Sequence, residues 1–97
     1  MPDRVVYSAR AANRIEAELI YLREHSAAAA NRLLQRLETA KLQLTEFPQS
    51  APRGTTPGTR RLILGPYVLT YRQIGSTIEI LDFRHGRHQE RPIPDEP

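Results

Sequence analysis

Residues 60–83 read RRLILGPYVLTYRQIGSTIEILDF, and this stretch decides the architecture. Three runs rich in aliphatic, aromatic and β-branched residues follow one another, Arg61–Gly65, Tyr67–Gln73 and Thr77–Phe83. Such residues fit a pleated, half-buried surface, so each run is predicted to be a strand. Gly65-Pro66 separates the first two. Gly75-Ser76 separates the second and third and suits a two-residue hairpin turn, glycine supplying a positive φ at its first position. Three consecutive strands joined this tightly make a mainly antiparallel sheet.

Working outward toward the N-terminus, residues 48–59 (PQSAPRGTTPGT) are rich in turn formers and read as a surface loop. Before it the apolar spacing is helical. Ala12, Ile15, Leu19 and Leu22 recur at three- and four-residue steps and predict an amphipathic helix from Ala9 to about His25, with Ser8 as N-cap. A second stripe follows in Ala30, Leu33, Leu37, Ala40, Leu44 and Phe47, and Pro48 ends it. One continuous helix over 9–47 would be about 58 Å long at 1.5 Å per residue. A compact domain of this length has a radius of gyration of only about 13 Å. The register of the first stripe, carried forward, also lands on Arg36 and Gln43 instead of Leu37 and Leu44. Ser26 is a good N-cap for a new helix, so the spacing predicts two antiparallel helices forming a hairpin.

Residues 4–8 (RVVYS) add a short β-branched strand at the start. The predicted order is β-α-α-β-β-β, an α+β fold with the helical hairpin on one face of the sheet. The other face stays partly open. A single domain is expected over residues 1–90, and the tail 91–97, with its three prolines, is expected to be flexible.

Composition narrows the function classes. The chain has 97 residues and no cysteine, which excludes disulfides and thiolate-bound metals. No apolar run approaches the roughly 20 residues of a membrane span, and a cytoplasmic protein is expected. The net charge is only +3, but thirteen of the fourteen basic residues are arginine. A GC-rich genome would produce that bias by itself, so placement matters more than count. Between Arg53 and Arg91 stand seven arginines and two histidines against Glu79, Asp82 and Glu90. A basic C-terminal half points to a polyanionic or acidic partner.

The candidate chemistry gathers there, in Arg60, Arg61, Arg72, Arg84 and Arg87 with His85 and His88. Ends and starts of adjacent antiparallel strands come together, which would allow several of these groups to converge. Guanidinium suits phosphate because its planar fork donates two parallel charge-assisted hydrogen bonds. The plain alternative is a solvated rim. His85-x-x-His88 is short of the three or four ligands zinc needs, and acid–base work suits a histidine better. Tyr67 and Tyr71 share a sheet face and are expected to pack against the helices before they stack on bases. No phosphate-cradling glycine loop, nucleophile elbow or paired carboxylate is found, and no metal or cofactor is implied.

With these pieces in place the chain resembles the RelE/ParE superfamily of toxins from type II toxin–antitoxin modules. The resemblance runs from about Val5 to His88. Its parts are Tyr7-Ser8-Ala9-Arg10-Ala11, Phe47-Pro48, Arg60-Arg61-Leu62-Ile63-Leu64-Gly65, Tyr67 to Tyr71-Arg72, and Ile78-Glu79-Ile80-Leu81 leading into Arg84-His85-Gly86-Arg87. It implies a toxin silenced by an acidic antitoxin in a hetero-oligomer. Antitoxin contacts are expected along Leu19, Leu22, Leu33 and Leu37, which are core residues first. RelE-like relatives cut mRNA on the ribosome; ParE-like relatives inhibit DNA gyrase. Under the first reading His85 would be base or acid, with Arg61, Arg72 and Arg84 as electrostatic clamps. That branch usually adds lysines and a C-terminal tyrosine, and this chain has neither after Tyr71. The ParE-like branch is therefore favoured, with Arg60, Arg61, Arg72, Arg84, His85 and Arg87 as its target-binding cluster. A non-toxic basic nucleic-acid-binding module is the third alternative, marked by salt-dependent, sequence-blind binding.

Overall fold

Two serines punctuate the N-terminal half. Ser8 follows β1 (Arg4–Tyr7) and caps α1 (Ala9–His25), its Oγ accepting from the Ala11 N–H at 3.1 Å. Ser26 then closes α1 and opens α2 (Ala27–Glu46) in one residue. Its N–H donates to the Leu22 carbonyl at 2.6 Å, and its Oγ accepts from the Ala29 N–H at 3.2 Å. An extended backbone at φ −166° and ψ 110° breaks the helix there. The computed structural model describes residues 2–86; Arg87, His88 and the tail expected at 91–97 lie outside the described residues.

Three strands complete the chain, β2 (Arg60–Leu64), β3 (Tyr67–Ile74) and β4 (Thr77–His85). The sheet order is β1-β4-β3-β2. β2, β3 and β4 form antiparallel pairs, while β1 runs parallel to β4 with Val5 beside Ile78 and Tyr7 beside Ile80. Parallel pairing needs a long connection, and the helices with the first two hairpin strands supply it. The result is the expected α+β fold.

One irregularity joins the layers. Thr70 pairs with Asp82 but Tyr71 with Ile80, so Leu81 is an extra residue in β4, a β-bulge. Ser8 docks onto that bulge, its N–H donating to the Ile80 carbonyl at 2.8 Å and its Oγ to the Leu81 carbonyl at 2.9 Å. The cap of α1 and the kink of β4 thus share one side chain.

The core lies between the hairpin and the inner sheet face. Leu33, Leu37, Ala40 and Leu44 of α2 meet Leu62, Leu69, Tyr71, Ile78, Ile80 and Phe83. Two expected core positions are displaced. Ala11 is buried and Ala12 exposed, because Ala11 and Ile15 face the sheet while Ala12 turns toward the surface groove between the helices. Phe47 is 60% exposed: it is the C-cap, at φ −132° and ψ 69°, and has left the helical register that would have carried it inward.

Candidate functional site

Cross-strand partners share a sheet face, so the register sorts the basic residues. Tyr67, Leu69 and Tyr71 point toward the helices, and Val68, Thr70 and Arg72 point away. Arg61 pairs with Thr70 and Arg84 with Val68, which sets both on the outer face, on either side of β3. Two strand spacings across the sheet, with a two-residue offset along it, put their backbones about 12 Å apart. Both are half-buried, with their Nε atoms withdrawn from solvent. Ile63, 64% exposed, stands beside them on the same face.

Arg72 also faces outward, but Glu79 holds it: Nε and Nη2 both reach Glu79 Oε1, at 2.9 and 2.8 Å. Arg60 pairs with Tyr71 and so points to the opposite face, where its Nη1 donates to the Ala51 carbonyl at 2.7 Å. His85 pairs with Tyr67 and meets that ring edge-on, 5.7 Å between centroids, on the helical side. Of the expected cluster, the structure brings Arg61 and Arg84 to one face with Arg72. Arg60 and His85 go to the other, and Arg87 lies outside the described residues.

Around Tyr67 a second constellation forms that the chain pattern did not reveal. The Tyr67 hydroxyl donates to Glu18 Oε2 of α1 at 2.6 Å, and its ring stacks on Phe83 at 4.9 Å. Burial first, then the hydrogen bond to Glu18 and its charge, push the phenol up to about 12 against the opposing pull of Arg36. Nearby, Arg14 of α1 donates to the buried Asp82 carboxylate at 2.8 Å, and the Phe83 N–H donates to the same oxygen at 2.9 Å. Glu18, Arg14 and Arg36 sit among helical charges that resemble a solvated face. Nothing in the sequence marks which of them turn inward to partners 49 and 68 residues away.

The remaining expected contacts lie on the helices. Between α1 and α2 runs a groove of about 370 Å³, lined by Leu19, Leu34 and Leu37 together with Tyr7 and the charged Glu16, Arg23, Glu38 and Lys41. Leu19 and Leu37 therefore border an accessible surface. Leu22 packs half-buried against the core, and Leu33, 1% exposed, offers a partner no surface. Leu34, 40% exposed, falls off the buried stripe that the apolar spacing marks, and for that reason it reaches the groove.

Comparison with known proteins gives a consistent result. The family model described as ParE toxin of type II toxin-antitoxin system, parDE, matches residues 5–90. The putative toxin Y4kP of Sinorhizobium fredii is 35% identical over 91 residues, covering 92% of this chain and 93% of that protein. Toxin RelE1 of Caulobacter vibrioides is 35% identical over 93 residues, covering 92% and 99%. Among solved structures, a chain of the chromosomal ParDE TA system from P. aeruginosa superposes with a TM-score of 0.69 at 24% identity, over 84% of this chain and 94% of that one. The YoeB/ParE toxin from Agrobacterium tumefaciens superposes at 0.62 with 13% identity, over 86% and 98%. These two likenesses are of fold.

Proposed function

The chain belongs to the ParE toxin family of type II toxin–antitoxin systems, and from that membership we propose that it poisons the cell by inhibiting DNA gyrase and not by cutting RNA. One observation carries this reading: His85 faces the helices while Arg61, Arg72 and Arg84 face the other side of the sheet. Metal-free RNA cleavage needs a base at the 2′-hydroxyl and cations around the same phosphate. Here the sheet stands between them. Arg72, moreover, already spends its fork on Glu79. The outer-face pair Arg61 and Arg84, beside the exposed Ile63, instead makes a surface for gripping a target by charge and apolar contact.

Membership also implies a cognate antitoxin. Its acidic arm seats in the groove between α1 and α2, apolar side chains on Leu19, Leu34 and Leu37 and carboxylates toward Arg23 and Lys41. The target and the action are cytoplasmic. Among the described residues no helix is long and apolar enough to cross a membrane.

Ribosome-dependent mRNA cleavage is the second reading, favoured by the names of the Caulobacter relatives, Toxin RelE1 and Toxin RelE2. Pulse-labelling after induction without antitoxin separates the two. Gyrase inhibition predicts that DNA synthesis collapses first while translation continues, and that purified toxin blocks supercoiling. An early stop in translation that His85→Ala abolishes would refute the proposal.

A further inference from the structure

β3 outruns its neighbour. Its pairing with β2 ends at Tyr71 opposite Arg60, so Arg72, Gln73 and Ile74 are paired only on the β4 side. The chain ahead of β2 does not fill the space. It folds back along β2 instead, through an Arg53–Arg60 bridge, an Arg61 N–H bond to the Pro52 carbonyl at 2.9 Å and a Gly54 N–H bond to the Thr59 carbonyl at 2.8 Å. Between this returning loop and the overhang of β3 lies a recess of about 690 Å³. Arg53, Arg60 and Arg72 line it together with Thr59, Tyr71 and Gln73, and no acidic residue lines it among the described residues.

Charge in this recess is cancelled only in part. Arg72 is held by Glu79, but neither Arg53 nor Arg60 forms an ion pair among the described residues, and Arg60 gives only Nη1 to the Ala51 carbonyl. Arg53 is exposed, and its side chain makes no hydrogen bond among the described residues. Guanidinium groups of like charge around one recess favour an anion between them, and their forks match phosphate oxygens in pairs. Arg60 lines the recess from the helical face and Arg72 from the outer face, at the open edge of β3, whereas Arg61 and Arg84 do not line it.

We infer that the recess between residues 53–59 and the overhang of β3 is a phosphodiester-binding subsite, separate from Arg61 and Arg84 and able to hold the backbone of a nucleic acid. An acidic peptide adding a strand to β3 is the competing occupant, and it fits less well. Only three residues of edge, Arg72 to Ile74, are open, and the Arg53 bridge already occupies the neighbouring edge of β2. Strand addition draws its affinity from a longer run of main-chain bonds. The inference does not rest on the gyrase reading, since it concerns what the recess binds and not what the toxin inhibits.

The test is fluorescence anisotropy of labelled oligothymidylate and oligouridylate on the full chain over a series of salt concentrations. Arg53→Gln is the informative variant, because that side chain is exposed and forms no ion pair among the described residues. Arg32→Gln, an exposed change of equal charge on α2, is the control, and melting curves verify that both fold. Arg53→Gln is expected to weaken binding roughly tenfold, as loss of a charge-assisted bond does. It should also lower the slope of log K against log salt by about 0.7 per lost phosphate contact, with Arg32→Gln near wild type. Preference for one oligomer tells whether DNA or RNA supplies the phosphates, and either supports the subsite. Equal losses in both variants would overturn it, leaving only diffuse charge attraction. So would displacement of the oligomer by an oligoglutamate peptide at matched concentration of charge, which would make the recess a carboxylate site.

Discussion

Replacing Ser8 with alanine should destabilise this domain more than loss of a helix cap alone. Its Oγ makes two bonds of opposite sense, accepting from the Ala11 N–H at 3.1 Å and donating to the Leu81 carbonyl at 2.9 Å on the bulge of β4. Removing a serine cap costs about 1 kcal/mol. A partly buried carbonyl left without its donor adds about 0.5–1.5 kcal/mol. The sum is about 2 kcal/mol, which lowers the melting temperature of a domain this size by about 8–16 °C. Ser8→Asp separates the two terms, since an ionised carboxylate still caps α1 but cannot donate to Leu81. Ser8→Thr keeps both. Urea unfolding followed by circular dichroism should rank wild type and Thr together, Asp below them and Ala no better than Asp. If Ala lay within about 0.5 kcal/mol of wild type with an unchanged urea slope, Ser8 would not couple the cap to the bulge.

Three further outcomes follow from the geometry. Tyr67, held protonated up to about 12, should be the late step in a spectrophotometric tyrosine titration, and Tyr67→Phe should remove it. Because its folded value lies above the unfolded value of about 10, the stabilisation is complete below pH ~10 and is lost as pH rises toward 12. Leu34→Asp should weaken antitoxin binding roughly 10- to 100-fold in a titration with purified antitoxin while leaving the melting temperature near wild type, because the side chain borders the groove and not the core. Gly65→Ala should cost about 1–3 kcal/mol in denaturant unfolding: the position has φ +61°, which an L side chain rarely adopts, while the exposed Arg36 guanidinium that a Cβ would meet can swing aside.

Much of this molecule was legible from the order of its residues. Local rules govern local structure, so Ser8 and Ser26 marked the helix starts, the stripe from Ala30 to Leu44 marked the buried face of α2, and Gly75 marked a turn that takes φ +58°. The family resemblance, too, lay in the spacing of short segments that the later comparisons matched over residues 5–90. What the sequence could not decide is anything set by strand register. The bulge at Leu81 is invisible in a run as regular as Ile78 to Phe83. Yet register determines that Arg84 and His85, adjacent in the chain, fall on opposite faces, as do Arg60 and Arg61. A cluster read along the chain is therefore split in two by the alternation of the strand. The pairings of Glu18 with Tyr67 and Arg14 with Asp82 likewise arise only when helix and sheet meet, because a charged helical residue looks solvated until tertiary packing supplies its partner.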